Sequence, residues 1–125
     1  MKLLLDTHIL LWVMQDAPQL SLAARRLLDE ADTLHVSTVS LWEVAIKRNL
    51  GKLRLDPDAL DAHLAASPVQ PLAIEWTHAR RLRSLPALHG DPFDRMLVAQ
   101  AMSEPLHLLT HDAALVPYSD LVILV

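Results

Sequence analysis

The sequence predicts an α/β domain built on a parallel β-sheet, and three observations carry that prediction. Short apolar runs of β type alternate along the chain with segments of helical period. Two helical segments open on Asp-Pro, at Asp56 and Asp91, which places an N-cap before a proline at the first helical position. With 125 residues and 52% hydrophobic content, the chain is the size of one domain, 1–125, able to bury a core and fold alone. Charged residues make up 21%, glycine occurs only at Gly51 and Gly90, and no repeat or low-complexity tract is present, which argues against disorder and flexible linkers.

The opening "MKLLLDTH" reads as a short buried strand, Lys2–Leu5, that ends on a carboxylate. A secretory leader is the competing reading of Lys2 and the apolar run. Asp6 and His8 interrupt that run and no small-x-small cleavage pattern follows, so the strand is preferred. The next stretch, "HILLWVM", is apolar on every side, so part of this first helix is expected to be buried or covered by another chain. From Ser21 to Ala31, Ala24, Leu27, Leu28 and Ala31 recur at helical spacing and leave Arg25, Arg26 and Glu30 for solvent. Leu34–Ser37 reads as the second strand. A helix from Ser40 to about Asn49 follows, with Gly51 supplying the left-handed residue that helix ends favour. "DPDALDAHL" starts a helix capped by Asp56, Val69–Leu72 is the third strand, and "EWTHARRLRSL" gives a further helix. "DPFDRMLVAQAM" is apolar almost all round apart from Gln100 and is therefore expected to be central. His107–Thr110 and Leu121–Val125 complete the strands.

Acidic residues fall where such a fold gathers its chemistry. Ligands of open α/β sheets lie outside the carboxyl ends of the strands. Asp6 follows the first strand, Asp112 comes two residues after Thr110 in "LLTHD", and Glu43, Asp91 and Asp94 lie near helix starts. Each has a purely structural explanation as well. Ser40 and Glu43 have the spacing of a capping box, and Glu43 also stands four residues before Lys47. Asp91 is a natural N-cap, Asp94 suits the helix dipole, and Asp112 is placed to cap a short helix through Leu115. Several carboxylates at one sheet edge repel and raise one another's pKa unless a cation compensates, and oxygen-ligated Mg²⁺ or Mn²⁺ is the natural occupant. No close His-x-x-His or His-Glu-x-x-His set is present, His63 and His78 sit on separate helices, and zinc is disfavoured. His8, His89 and His111 each flank an acid and are expected to hydrogen-bond in or beside the site rather than to serve as primary ligands.

Taken in order, "LLLDTHILLW", "VSTVSLWEVAIKRNLGKL", "HGDPFDRMLVAQA" and "LLTHD" resemble the PIN-domain ribonucleases, and among them the VapC-type toxins of toxin–antitoxin pairs. The resemblance covers nearly the whole chain. It implies a PIN-like three-layer α/β/α fold with a parallel sheet in the order 3-2-1-4-5, which sets the first and fourth strands, and hence Asp6 and Asp112, side by side. It further implies that Asp6, Glu43, Asp94 and Asp112 are the catalytic acids, that Asp91 is an additional acid of the metal site, and that Thr110 is the hydroxyl that helps hold it. The activity implied is Mg²⁺- or Mn²⁺-dependent hydrolysis of RNA phosphodiester bonds in the cytoplasm. The partners implied are a homodimer mate and a cognate antitoxin whose tail lies beside the acids.

Charge limits how RNA is met. A formal net charge of −4 argues against a general nucleic-acid coat, so contact must be local. Lys47, Arg48, Lys52, Arg54 and Arg95 are the basic residues nearest the motifs, with Lys47, Arg48 and Arg95 the foremost candidates for RNA contact, although a solvated helix face is the preferred explanation of these residues. Arg80, Arg81 and Arg83 form a second cluster suited to an interface. Zero cysteines exclude disulfides and thiolate chemistry, and no apolar run approaches the roughly 20 residues of a membrane span. Two other classes remain. A PIN-like domain that binds protein without cutting would be marked by loss of an acid, and none is missing. A haloacid-dehalogenase-type phosphatase needs a second aspartate two residues after the first, where this chain has His8.

Overall fold

The computed structural model describes residues 1–125. The chain runs β1 (Lys2–Leu5), α1 (Thr7–Gln15), α2 (Leu22–Glu30), β2 (Thr33–Ser37), α3 (Thr38–Asn49), α4 (Pro57–Ala66), β3 (Gln70–Leu72), α5 (Trp76–Arg81), α6 (Pro92–Ser103), β4 (His107–Thr110) and β5 (Val122–Leu124). The five strands form one sheet in the order β3-β2-β1-β4-β5, and every neighbouring pair is parallel. This is the expected order, and it places the topological switch between β1 and β4, where Leu5 stands opposite Leu109.

Strand periodicity of two divides the core. Leu3 and Leu5 point to one face with Ile9, Leu10, Ala24, Leu60 and Leu109, so α1, α2 and α4 cover that side. Leu4 points to the other with Leu97, Val98, Ala101, Leu108 and Leu115, so α6 covers the opposite side. Both faces being covered explains why these strands read as continuous apolar runs rather than alternating ones. β3 contains Pro71 and lies at the sheet edge, where a missing N–H is tolerated.

Three local expectations are corrected. α3 starts at Thr38, two residues before Ser40, because Ser37 is the cap: its Oγ accepts from the Val39 N–H at 3.0 Å. Ser40 is therefore already inside the helix, and the proposed Ser40–Glu43 capping box does not form. The helix expected from Trp76 onward stops at Arg81 and gives way to a 3-10 turn, Leu82–Ser84. Leu85 precedes Pro86 and adopts ψ 132°, as the residue before a proline must when the ring excludes the helical region. Finally, Arg25 does not belong to solvent. Its guanidinium donates to Asp16 Oδ1 at 2.6 Å, to the Ala17 carbonyl at 3.0 Å and to the Leu20 carbonyl at 3.1 Å, clamping the turn after α1, where Asp16 takes a left-handed φ of 46°. The expected left-handed glycine after α3 is present, with Gly51 at φ 72°.

Gln100, the polar residue of the central helix, is fully buried. Its Oε1 accepts from Ser37 Oγ at 2.6 Å, and its Nε2 donates to the Ala73 carbonyl at 3.3 Å and to His78 Nδ1 at 3.4 Å. His78 Nδ1 also accepts from the Glu75 N–H at 2.9 Å, so the imidazole proton sits on Nε2 and faces Glu104 Oε1 at 3.1 Å. A buried network so completely satisfied is costly to break at any one member. Gln100→Leu is expected to lower stability by about 1–3 kcal/mol in urea denaturation, because the Ser37 hydroxyl and the Ala73 carbonyl lose their buried partner.

Candidate metal centre

The carboxyl ends of β1 and β4 open into a cleft of about 350 Å³. Five carboxylates line it, Asp6, Glu43, Asp91, Asp94 and Asp112, against one cation, Lys47, with His8, His111 and Trp12 completing the walls. Residues drawn from four separate stretches of chain meet here, and the topology brings them together.

Asp6, Asp91, Asp94 and Asp112 are each hydrogen-bonded through one carboxylate oxygen, whereas Glu43 has both engaged. Asp6 continues the β1 ladder through its N–H to the Leu109 carbonyl at 3.0 Å, and its Oδ2 accepts from Thr110 Oγ1 at 2.5 Å. The same hydroxyl accepts from the Asp112 N–H at 3.0 Å, so Thr110 ties the end of β1 to the loop after β4. Glu43 is buried on α3. Its Oε1 accepts from Thr7 Oγ1 at 2.7 Å, and its Oε2 pairs with Lys47 Nζ at 2.5 Å. Ser40 Oγ lies 2.9 Å from Thr7 Oγ1, and because the single Thr7 proton goes to Glu43 the Ser40 hydroxyl donates to Thr7, which gives Ser40 a role other than capping.

Asp91 and Asp112 do cap helices, and with one oxygen each. Asp91 Oδ1 accepts from the N–H groups of Phe93 and Asp94 at 2.8 and 3.1 Å, and Asp112 Oδ1 accepts from Ala114 N–H at 2.9 Å. The structural and the chemical explanations of these residues therefore hold at once, on different oxygens. Asp112 Oδ2 and Asp94 Oδ2 both face His89 Nε2, at 3.7 and 3.0 Å. His89, Asp94 and Asp112 offer ligand atoms that all lie within 4.8 Å of one another, close enough for one cation. The sequence placed His89 beside the site only as a hydrogen-bonding neighbour. Its signal was its position one residue from the Asp-Pro start, since Gly90 alone separates it from Asp91.

The crowding of like charges shows in protonation. Asp94 is pushed up to about 7, first by burial and next by the charge of Asp6, with Asp91 and Glu43 adding to the effect and the His89 hydrogen bond opposing it. Burial likewise raises Asp6 above the ordinary carboxyl range, against the Thr110 hydrogen bond that favours its charged form. Lys47 is raised by its hydrogen bond to Glu43 and by the surrounding acids. A donor set of carboxylate oxygens, one imidazole and a surplus of negative charge fits a hard or borderline divalent cation such as Mg²⁺ or Mn²⁺.

The basic residues separate. Lys47 lines the cleft, but Arg48 and Arg95 are held elsewhere. Arg48 Nε donates to the Leu55 carbonyl at 2.9 Å and secures the loop after α3. Arg95 donates to the Pro86 carbonyl at 2.8 Å and to Tyr118 Oη at 3.1 Å, so it braces the loop that carries His89. Thr7 and Trp12 are site features that charge alone did not mark. The hydroxyl directly after Asp6 was the available sign of the first, and four-residue spacing from His8 of the second.

Asp94 contributes a pH dependence to the stability of the metal-free protein. Its folded-state pKa lies above the ordinary 3.8, so between about 4 and about 7 the folded chain holds a proton that the unfolded chain has released. Stability therefore falls as pH rises through that window. Asp94→Asn keeps the shape and removes the charge. In EDTA at pH 8 it is expected to melt about 3–10 °C above the parent, the difference closing near pH 4, as followed by circular dichroism.

Comparison with known proteins agrees with this geometry. A family model described as PIN domain matches residues 3–120. The chain is 31% identical over 114 residues to Ribonuclease VapC22 of Mycobacterium tuberculosis, covering 90% of this chain and 88% of that protein. Among solved structures, VapBC2 from Rickettsia felis bound to a promoter DNA fragment superposes with a TM-score of 0.73 at 17% identity, covering 100% of this chain and 98% of that one. DNA-bound VapBC from Salmonella typhimurium gives 0.68 at 18%, covering 100% and 97%. These last two likenesses concern the fold, whereas the family model and the sequence identity settle kinship: the chain belongs to the PIN-domain family.

Proposed function

We propose that this protein is a Mg²⁺- or Mn²⁺-dependent endoribonuclease, the toxin of a type II toxin–antitoxin pair acting in the cytoplasm. The observation that carries the proposal is the meeting of five carboxylates at the β1–β4 switch with Lys47 as the only cation lining the cleft. Kinship with a VapC ribonuclease supports the substrate class. The toxin–antitoxin complexes of like fold support an antitoxin partner. No helix is long and apolar enough to cross a membrane. Leu41, Trp42 and Ile46 lie exposed on α3 and support a homodimer.

Asp6, Asp94 and Asp112 hold the metal in this reading, with Asp91 contributing the oxygen that its cap leaves free. When bound, the ion polarises the phosphate, lowers the pKa of the attacking water and stabilises the leaving oxygen. Asp94, whose pKa is raised first by burial and next by the charge of Asp6, would be favoured in its charged form by a cation held beside it. Glu43 is held rigidly between Thr7 and Lys47 and orients the attacking water. Thr110 keeps Asp6 in one rotamer and couples it to Asp112. Lys47 holds the Glu43 carboxylate from the cleft wall and neutralises it. No side-chain nucleophile is required.

Purified protein incubated with total RNA is expected to generate new ends with Mg²⁺ or Mn²⁺ and none in excess EDTA. Undiminished cutting in EDTA would overturn the metal mechanism. Asp6→Asn and Asp94→Asn are expected to abolish cutting while the fold persists. Thr110→Val, which removes both the support of Asp6 and the acceptor of the Asp112 N–H, is expected to cost roughly 10–100-fold in metal affinity or rate. Expression alone is expected to arrest growth, and co-expression with the antitoxin to relieve it. A lone, soluble and harmless protein would favour a binding module instead.

A further inference from the structure

Inside the cleft RNA meets no free cation: Lys47, the one basic residue lining it, is engaged by Glu43, and Arg95 is held by Pro86 and Tyr118. Lys52 stands outside it, in the adjoining hollow lined by His8, Glu43 and Lys47. The part of the cleft wall that carries no acid is aromatic. Trp12 is the one hydrophobic residue lining it, and the exposed imidazoles of His8 and His111 flank the indole with ring centroids 6.2 and 5.1 Å away. Behind, Trp12 packs on the core cluster of Leu5, Ile9 and Leu10, so the ring is anchored and loses little freedom on contact. His111 is fixed in turn by its Nδ1 against the Val125 backbone oxygen. The three rings do not form one plane: His8 and His111 are inclined to the indole by 50° and 68°, so Trp12 is an anchored aromatic side chain flanked by two tilted imidazoles. An anchored aromatic ring beside phosphate-handling acids is the arrangement by which proteins grip unpaired bases, since every base offers a π-face and a duplex keeps its faces stacked away.

We infer that Trp12, with His8 and His111 at its edges, is a subsite for one unpaired nucleobase of the RNA strand, next to the phosphate held at the acids. The inference rests on the ribonuclease reading and adds to it the selection of single-stranded substrate by stacking. The wall supplies attraction that the acidic surface lacks. It also fixes the strand so that one particular phosphate reaches Asp6 and Asp94.

The test combines substrate and protein variants. A short unstructured RNA cut at one site by the parent protein is remade with an abasic residue at each position in turn. One position adjacent to the cut is expected to lose between roughly 5- and 150-fold in kcat/KM, the range that one base–aromatic stack contributes, with the loss mainly in KM. Trp12→Ala is expected to lose about as much on intact RNA and to show no further loss on that abasic substrate, whereas Trp12→Phe keeps most of the effect. Mn²⁺ affinity measured on the protein alone should be the same in all three. Should Trp12→Ala fail to fold, the abasic scan and Trp12→Phe still decide.

A binding readout separates this inference from the reading beneath it. Trp42→Phe and Trp76→Phe leave Trp12 as the sole tryptophan of the three. In an Asp94→Asn background its fluorescence is expected to be quenched by the intact RNA and not by the abasic form. A parent that cuts RNA with no position-dependent abasic effect, while Trp12→Ala retains the parental KM, overturns the subsite and leaves the nuclease standing. A parent that cuts no RNA overturns the nuclease, and the fluorescence titration then decides the subsite alone: base-dependent quenching upholds it and absence of quenching overturns it. Quenching by the antitoxin protein and not by RNA overturns it in favour of a protein-binding wall.

Discussion

The constraint on which this structure depends is electrostatic: five carboxylates must be held within one small cleft although their mutual repulsion opposes it. The fold meets the constraint by placing them at the ends of elements whose other contacts are strong. β1 is buried on both faces, α6 is the central helix of its layer, and α3 is anchored by Val39 and Val44 in the two opposite cores. Hydrophobic burial on this scale outweighs the repulsion, and the residual cost surfaces as the raised pKa of Asp94 and Asp6. A site so arranged is destabilising while empty of charge compensation, which is the state of affairs expected where geometry serves binding rather than folding.

Hydroxyl groups do the fine positioning. Thr110 joins Asp6 to Asp112 across the strand pair, and Thr7 joins Glu43 to Ser40 across α1 and α3. Neutral hydroxyls suit this task because they fix a carboxylate without cancelling its charge, as an arginine or a second lysine would. Lys47 is the exception. It neutralises Glu43, whose side chain is nearly closed off from solvent, and leaves the other acids to an incoming cation. Asp91 and Asp112 show the same economy from another side, because a helix cap uses one oxygen of a carboxylate and leaves the second directed elsewhere.

Much of this was legible in the sequence, and the reasons differ residue by residue. The parallel sheet and the gathering of acids at strand ends were accessible from the apolar runs and the Asp-Pro starts, whereas the strand order came only from the resemblance that the four motifs in series carry. Asp91 was readable as a cap because proline at the first helical position admits few alternatives. The start of α3 was misplaced because Ser37 and Ser40 are chemically equal as caps, and only the end of β2 decides between them. Arg25 was misassigned because a guanidinium reaching three acceptors in the turn after α1 depends on the left-handed Asp16, which no glycine announces. Arg95 and Arg48 looked like substrate contacts since sequence proximity to a motif does not reveal direction. Their long side chains turn away to backbone carbonyls.

His89 joins these themes. It lies on an irregular stretch between the 3-10 turn and α6, a region with little secondary structure to fix it. Arg95, one residue after Asp94, reaches back to Pro86, while Tyr118 from the far side of β4 donates to the His89 carbonyl at 3.4 Å and meets the same guanidinium. One arginine therefore braces the loop from the first turn of α6, and the imidazole is delivered to Asp94 and Asp112 by a scaffold independent of the acids themselves. Arg95, which sequence position offered as an RNA contact, braces the loop that carries His89. A further guanidinium inside the cleft would neutralise its carboxylates, so holding Arg95 outside it preserves the negative potential gathered there.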